Sequence, residues 1–304
     1  MIDLRRLRVL RAGAHDGTVT AAAQALHFTP SAASQQIRQL SRELGVELLE
    51  PHGRRVQLTA AARTLLGHAD AIQARWEQAE VELRAERGEP VGLLRVCGFP
   101  VAVATLLAPL AAALHTRYPR LRVAVHESQL ARDSFNLLFD GDVDLAVIEA
   151  APDNPPAADP RFVQQPLLTD VFDLVVPTGH ALAGRSRVAL AEAADDDWIV
   201  PSPDCTCRTH IMAACSAAGF TPTVTHHAME WDSIAALIAH GLGVCLVPRL
   251  HRLAPHLPVV RVPLRGDPSP GRRLLTCVRR GAQDSPAVAA GLAALRDAAP
   301  AAAA

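Results

Sequence analysis

Residues 18–44 read TVTAAAQALHFTPSAASQQIRQLSREL, and they set the architecture of the first third of the chain. Thr18 is a good N-cap for a short, Ala-rich helix over 19–26. His27 and Phe28 make a turn. Thr29 caps a second helix, with Pro30 at its first position, where a missing N–H costs nothing. That helix runs to Leu44 with Ala33, Ile37, Leu40 and Leu44 on one face, and Gly45 ends it. Its other face shows Ser31, Ser34, Gln35, Arg38 and Arg42. Two short helices joined by a tight turn, the second exposing Ser, Gln and Arg, describe a helix-turn-helix. A plain three-helix surface with a polar face has the same pattern. Gln and Arg can make paired hydrogen bonds to adenine and guanine edges, so Gln35 and Arg38 are the expected base readers.

Upstream, Leu4, Leu7 and Leu10 recur at helical spacing before a break between Gly13 and Gly17. Downstream, 46–49, a turn at Pro51-His52-Gly53, and 54–58 read as a β-hairpin with Arg54 and Arg55 at its tip. A basic wing beside a helix-turn-helix touches phosphates or the minor groove. Thr59 then caps a long helix to about Arg87, ended by Gly88 and Pro90. Ala62, Leu65, Ala69, Ile72, Trp76, Ala79 and Leu83 follow the three-four spacing of a heptad seam. Such a seam either packs on its own domain or pairs with a second copy. The charged remainder of the helix favours the pair, through Leu65, Ile72, Trp76 and Leu83.

The 304 residues suit two or three domains, and the net charge of −1 excludes a basic tail. Residues 1–63 nevertheless carry nine Arg against five acids, and residues 64–89 three Arg against six acids. The positive field is therefore confined to the N-terminal unit, as phosphate binding requires. All 30 basic residues are Arg. Without Lys there is no Schiff base, no P-loop lysine and no lysine general base. The N-terminus lacks a secretory leader, and the longest apolar stretch, 101–114, falls short of a ~20-residue membrane span. Six scattered Cys do not make a disulfide scaffold. A soluble, cytoplasmic protein with reduced thiols is expected.

After Gly92 strands and helices alternate. Strands over 93–97, 121–126 and 145–148 enclose helices from about 100–118 and over 130–139, which implies a parallel sheet covered by helices. A Pro-rich loop, strands near 162–168 and 171–176, a helix over 211–218, strands near 259–264 and 274–278, and a helix over 287–297 complete the pattern. The fold class is thus α/β with a helical N-terminal winged helix-turn-helix and a two-lobed C-terminal α/β domain. The expected divisions are 1–58 for the winged helix-turn-helix, 59–89 for the linker helix and 90–304 for the two lobes. The first lobe covers about 90–165 and 266–300, the second about 166–265. A small ligand suits the cleft between such lobes, at the carboxyl ends of strands. The N-terminus of the helix near Pro100 offers free N–H donors there, which favours a small, partly apolar ligand with one polar or acidic end.

Enzyme motifs fail. Gly241-Leu242-Gly243 leads to Pro248 rather than into a helix, His126-Glu127 lacks the second His of a zinc protease, and no G-x-S-x-G elbow occurs. No catalytic residue, metal or cofactor is assigned. A cytoplasmic solute-binding protein or enzyme with an incidental helical N-terminus remains the alternative from another class. One cluster stays open: Cys205, Cys207, His210 and Cys215, with His226 and His227 within reach. It has three readings: soft metal ligands, a redox pair of Cys205 or Cys207 with Cys215, or small residues lining a loop.

Residues 1–60 resemble the winged helix-turn-helix of the LysR-type transcriptional regulators. Thr18 to Leu26 is similar to their first motif helix, Thr29 to Ile37 to their recognition helix, and Leu44 to Leu49 with Arg54 to Thr59 to their wing. The chain departs from the family pattern at Ser41, Leu49 and Pro51. The second half resembles the family's effector domain, which is built like a periplasmic binding protein, through 138–147 and 241–248. The resemblance implies a regulator that binds double-stranded DNA as a homodimer or homotetramer and answers to a small-molecule effector. The implied DNA-binding set is Thr18, Thr29, Pro30, Ser31, Ser34, Gln35, Arg38, Arg54 and Arg55. Around the cleft it puts Pro100, Val101, Ser128, Ser202, Cys205, Thr206, Met229 and Trp231. In the family's peroxide-sensing members the second sensor position matches Cys215 and the first falls on Thr206.

Overall fold

The computed structural model describes residues 7, 9–10, 29–52, 55–66, 68–69, 72, 89–128, 131–203, 205–266 and 269–303. Thr18, Arg54, Trp76 and Leu83 lie outside the described residues, and of Pro30 and Arg55 only the backbone is described. The chain divides into two compact units: residues 1–86 with 280–284, and residues 87–279 with 285–304.

In the first unit, α1 (Pro30–Leu44) starts where the sequence puts it. Thr29 is extended, and its hydroxyl accepts the Ala32 N–H at 3.2 Å. Such a cap is worth ~1 kcal/mol. Gly45 closes the helix with φ 69°, its N–H reaching the Ser41 carbonyl. Ala33, Ile37 and Leu40 are buried with Leu7, Val9, Leu10, Leu48, Ala62, Leu66 and Ala69 in one apolar core. The wing is the antiparallel pair β1 (Leu49–His52) and β2 (Arg55–Leu58), with His52 opposite Arg55. Pro51 and His52 are therefore strand residues rather than turn residues. Residues 60–66, 68–69 and 72 are helical after Thr59, whose hydroxyl accepts the Ala62 N–H at 3.1 Å and donates to the Glu47 carbonyl at 2.7 Å.

The second unit is built on a mixed sheet with the order β10-β6-β11-β5-β3-β4, and β9 beside β6. Strands β3 (Gly92–Gly98), β4 (Leu121–Glu127) and β5 (Leu145–Glu149) are parallel, as expected. The other strands depart from the parallel expectation: β11 (Gly271–Arg279) runs antiparallel to both β5 and β6 (Phe162–Pro177). Every residue of β5 is buried, which fits a strand covered on both faces. Leu145 and Val147 join the larger core with α2 (Pro100–Arg117) and α6 (Pro286–Ala303). Ala146 and Ile148 face the other way, against Phe135 and Leu138 of α3 (Ala131–Asp140). By length and mean hydropathy α2 passes for a membrane span, contrary to the sequence expectation. Val101, Ala102, Leu106, Leu107, Leu110 and Leu114 of that helix are instead spent on the core. A π-turn at Val103–Leu107 sits just before Pro109, which has no N–H for the Thr105 carbonyl.

Two sequence expectations are corrected. The separate strands near 162–168 and 171–176 are one strand, β6. The polar Thr169-Asp170 pair does not interrupt it, because Asp170 lies opposite Arg272 of β11 and is satisfied there. From Phe172 onward β6 leaves β11 and pairs with β9 (Cys245–Pro248) and β10 (Val259–Val262). The other correction is α4 (Thr206–Ala217), which begins five residues before the expected 211. Cys205 at the N-cap has the extended φ, ψ of a helix start. The parallel pair β7 (Asp197–Pro201) and β8 (Thr223–Ala228), with α5 (Trp231–Ala239), completes this half.

Candidate functional site

Because β3 and β5 are parallel, their carboxyl ends, Gly98-Phe99 and Glu149, open at one edge of the sheet. β11 brings Arg272 to that edge, β6 brings Asp170, and the first turns of α4 bring Cys205, Thr206, Cys207 and His210. The guanidinium of Arg272 is buried at the centre, its side chain 3% exposed. Its Nε donates to Asp170 Oδ2 at 3.0 Å, and Nη1 reaches Glu149 Oε2 at 3.4 Å and Cys207 Sγ at 3.2 Å. It stacks over the Phe99 ring at 4.7 Å. Nη2 lies 2.9 Å from Asp170 Oδ2 without the alignment of a hydrogen bond, so it is a buried donor with no acceptor among the described residues.

Glu149 is held from both sides. His210 Nε2 is 2.9 Å from its Oε1, and the Thr206 hydroxyl hydrogen-bonds to it. Burial pushes its pKa up, but His210, the Arg272 charge and Thr206 outweigh that and leave it below the ordinary carboxylate value. For Asp170 burial wins. Its pKa is raised despite Arg272 and the Leu250 N–H, which donates at 2.9 Å. One guanidinium thus sits between two carboxylates, and its own pKa is raised by the negative groups around it in spite of burial.

Of the six cysteines, five are buried and Cys205 is half-buried. A hydrogen bond from the Cys207 thiol, opposed by burial and helped by the Cys207 N–H, pulls the Cys205 thiol down to about 7. Cys207, the donor in that bond and buried, is raised well above the thiol range. Burial raises Cys215 to about 11.

The expected effector residues divide. Phe99-Pro100, Cys205 and Thr206 meet around Arg272 and Glu149. Ser128 is buried and tied to β3, its N–H donating to the Gly98 carbonyl at 2.9 Å. Half-buried Ser202 accepts the Cys205 N–H at 3.0 Å and holds the loop before α4. Val101 and Trp231 are core residues, and Met229 is 44% exposed. The sequence reading missed Glu149, Asp170 and Arg272. The available signal was a carboxylate closing the apolar run LAVIE at the carboxyl edge of a parallel strand.

The metal reading of Cys205, Cys207 and His210 is corrected. Among the described residues no three His, Cys, Asp or Glu side chains converge on a metal position. His210 is spent on Glu149, Cys207 on Arg272, and His227 Nδ1 on Arg208 at 3.1 Å. Pairing with Cys215 meets a similar obstacle. Cys207 and Cys215 are both in α4, eight residues apart, or ~12 Å along the axis. A disulfide needs Cα atoms about 4.4–6.8 Å apart, so that bridge requires α4 to unwind.

In the first unit the exposed face of α1 carries Ser31, Gln35 and Arg38, with Ser34 half-buried. Thr29 is exposed, and its hydroxyl meets that of Ser31 at 3.1 Å. Leu65 packs against the unit's own core, whereas Ile72 is 64% exposed.

Residues 4–63 match the model of the bacterial regulatory helix-turn-helix protein, lysR family, and residues 87–300 that of the LysR substrate binding domain. The chain belongs to the LysR family. It is a DNA-binding transcriptional regulator with an effector-binding domain, which removes the solute-binding-protein and enzyme alternatives. Among its LysR relatives is the HTH-type transcriptional regulator ShiR of Corynebacterium glutamicum (strain R). It is 30% identical over 256 residues, covering 79% of this chain and 85% of ShiR. The probable hydrogen peroxide-inducible genes activator of Streptomyces viridosporus is 30% identical over 300 residues, 97% of this chain and 94% of its own. An H2O2-bound OxyR mutant from Corynebacterium glutamicum shares the fold at a TM-score of 0.63 and 23% identity, over 99% of this chain and 94% of that one. Full-length BenM does so at 0.59 and 22%, over 97% and 96%.

Proposed function

We propose that this LysR regulator reads DNA with α1 and is controlled by a small effector bound at the edge where Phe99-Pro100, Glu149, Arg272 and the N-terminus of α4 meet. The observation that carries the effector reading is the buried Arg272 Nη2 donor with no acceptor. A buried donor left unmade costs ~1–3 kcal/mol, which a ligand acceptor would recover. The two carboxylates already balance the Arg272 charge. This favours a small ligand with a neutral acceptor over the acidic end expected from the helix terminus alone. Ser202, Cys205 and Thr206 supply the polar rim; Pro100, Val101 and Met229 supply the apolar side, with Ser128 and Trp231 shaping its floor. Gln35 and Arg38 read bases, with Thr18, Thr29, Pro30, Ser31 and Ser34 beside them, and Arg54 and Arg55 hold phosphates. The protein works in the cytoplasm as a dimer or tetramer.

A second reading, control through a reactive thiol, is favoured by the lowered Cys205 thiol. Relatives named as hydrogen peroxide-inducible genes activators agree with it.

Gel retardation of the chain's own promoter DNA tests the first part. Gln35→Ala should cost about 1–3 kcal/mol on that DNA and much less on random DNA. Equal losses on both would remove the base-reading role. In the same assay, a metabolite that shifts retardation by the wild type should lose its effect with the Ser202→Ala, Thr206→Val double variant. An undiminished effect puts the effector elsewhere.

A further inference from the structure

Five of the six thiols are buried; Cys205 alone is half-buried, at the N-cap of α4. Two residues on, the Cys207 thiol hydrogen-bonds to the Cys205 sulfur, while Arg272 Nη1 lies 3.2 Å from Cys207 Sγ. A reactive cysteine needs a stabilised thiolate, access from solvent and a second thiol in reach. These three conditions meet here without a third cysteine. Across the single helical residue Thr206, the two Cα atoms are separated by roughly 5.4 Å of helix geometry, inside the disulfide range. Cys215 lies two turns further along the helix and is fully buried.

We propose that Cys205 and Cys207 form a dithiol switch that a hydroperoxide closes into a Cys205–Cys207 disulfide. The Cys205 thiolate attacks the terminal peroxide oxygen. The O–O bond breaks, the leaving alkoxide or hydroxide takes up a proton, and Cys205 becomes a sulfenic acid. The Cys207 sulfur then attacks the sulfenic sulfur, its proton leaves with the hydroxyl as water, and the S–S bond forms. In sum, two thiols and one hydroperoxide give one disulfide, one alcohol or water, and one further water. The small ring of a Cys-x-Cys bridge is strained, so it is readily reduced again, as a reversible signal requires.

The position makes the bond consequential. Closing it takes the Cys207 thiol away from Arg272 and redirects the first turn of α4. That same turn holds Glu149 of β5 through Thr206 and His210. These contacts join α4, packed beside β7, to the parallel strands β3 and β5. A covalent change at Cys207 therefore acts on the link between the two halves of the effector unit. This step rests on the thiol reading above; the bond itself does not.

The full-length chain is treated with hydrogen peroxide, its free thiols are blocked, and its peptides are mapped by mass spectrometry. The expected product is an unblocked Cys205–Cys207 peptide lighter by two hydrogens and restored by dithiothreitol. Cys215→Ser should leave it unchanged. Cys207→Ala should leave a sulfenic acid on Cys205 that dimedone traps. It should also move the pH midpoint of Cys205 alkylation above about 7, since the thiolate loses its donor. Cys205→Ser should abolish the product. A bridge to Cys215, or both thiols still free at peroxide doses that oxidise a model dithiol, overturns the proposal. Gel retardation of promoter DNA with reduced and oxidised protein separates site from regulation. A several-fold, reversible change absent from Cys205→Ser supports the switch. A bridge that leaves retardation unchanged overturns its regulatory role, and a chain that never retards DNA overturns the DNA reading, whatever the thiols do.

Discussion

Arg272 is buried between Glu149 and Asp170, and each of the three is tolerable only because of the others. Removing the cation strands two carboxylates out of water. Arg272→Leu should therefore destabilise the effector unit by about 3–5 kcal/mol, read as a loss of its denaturant midpoint. A loss near zero would mean that water reaches the carboxylates. The two acids respond oppositely to pH. Glu149 is held below its ordinary 4.5, so the stability it contributes is present above that value and lost as pH falls through its lower folded pKa. Asp170 is raised above 3.8, so its ionisation costs stability, and acid relieves that cost. Glu149→Gln should accordingly lose stability at neutral pH, with its gap to the wild type shrinking below about pH 4.5. A gap that stays constant down to about pH 3 would contradict the linkage.

Elements meet most closely where β7 passes the turn before β9. Gly243 has φ 143°, and a Cβ there would fall 2.5 Å from the Asp197 carbonyl oxygen. That carbonyl accepts the Val244 N–H at 2.8 Å, and the Ile199 N–H returns a bond to the Val244 carbonyl at 2.9 Å. Gly241, two residues earlier, has φ 73° and nothing within 4 Å. Gly241→Ala should cost only the strain of a left-handed residue, ~1–2 kcal/mol. Gly243→Ala adds a clash with fixed backbone and should cost clearly more in urea unfolding. Equal costs would mean that β7 and β9 separate without penalty. The N-terminal elements were nearly complete in the sequence. Thr29, Pro30 and Gly45 mark the ends of α1, and Ala33, Ile37 and Leu40 mark its buried face. Caps and periodicity act within a few residues, so a linear reading recovers them. The start of α4 was missed for the converse reason, since Cys205 caps it without a side-chain hydrogen bond.

At the scale of the whole molecule the heptad seam has two fates. Ala62 and Ala69 are buried in the N-terminal core and Leu65 packs against it, so the first turns serve their own unit. Ile72 is exposed, and an Ile left to water on a heptad position fits a second copy of the helix. Replacing Ile72 and Trp76 with Glu should shift sedimentation toward the monomer at low micromolar concentration. It should also weaken DNA retardation, because two half-sites are no longer held together. A double variant that still sediments as the wild type would move the dimer contact to another surface.

The α/β alternation, the winged helix-turn-helix and the cysteine cluster were all written in local pattern. Apolar periodicity, caps and motif spacing depend on neighbours in the chain, and the sequence alone determined them. What it could not determine was how β6 and β11 bring together residues far apart in sequence. Asp170 and Arg272 are 102 residues apart, and Arg272 and Glu149 are 123 apart. Singly, each reads as an ordinary surface charge; paired across antiparallel strands, they become a buried ion cluster. Tertiary structure also chose among the readings of Cys205, Cys207, His210 and Cys215. It spent His210 on Glu149 and separated Cys215 by two turns of α4, leaving Cys207 as the thiol bonded to Cys205. The physical reason is that hydrogen bonding and desolvation depend on distance in space, which local pattern does not encode.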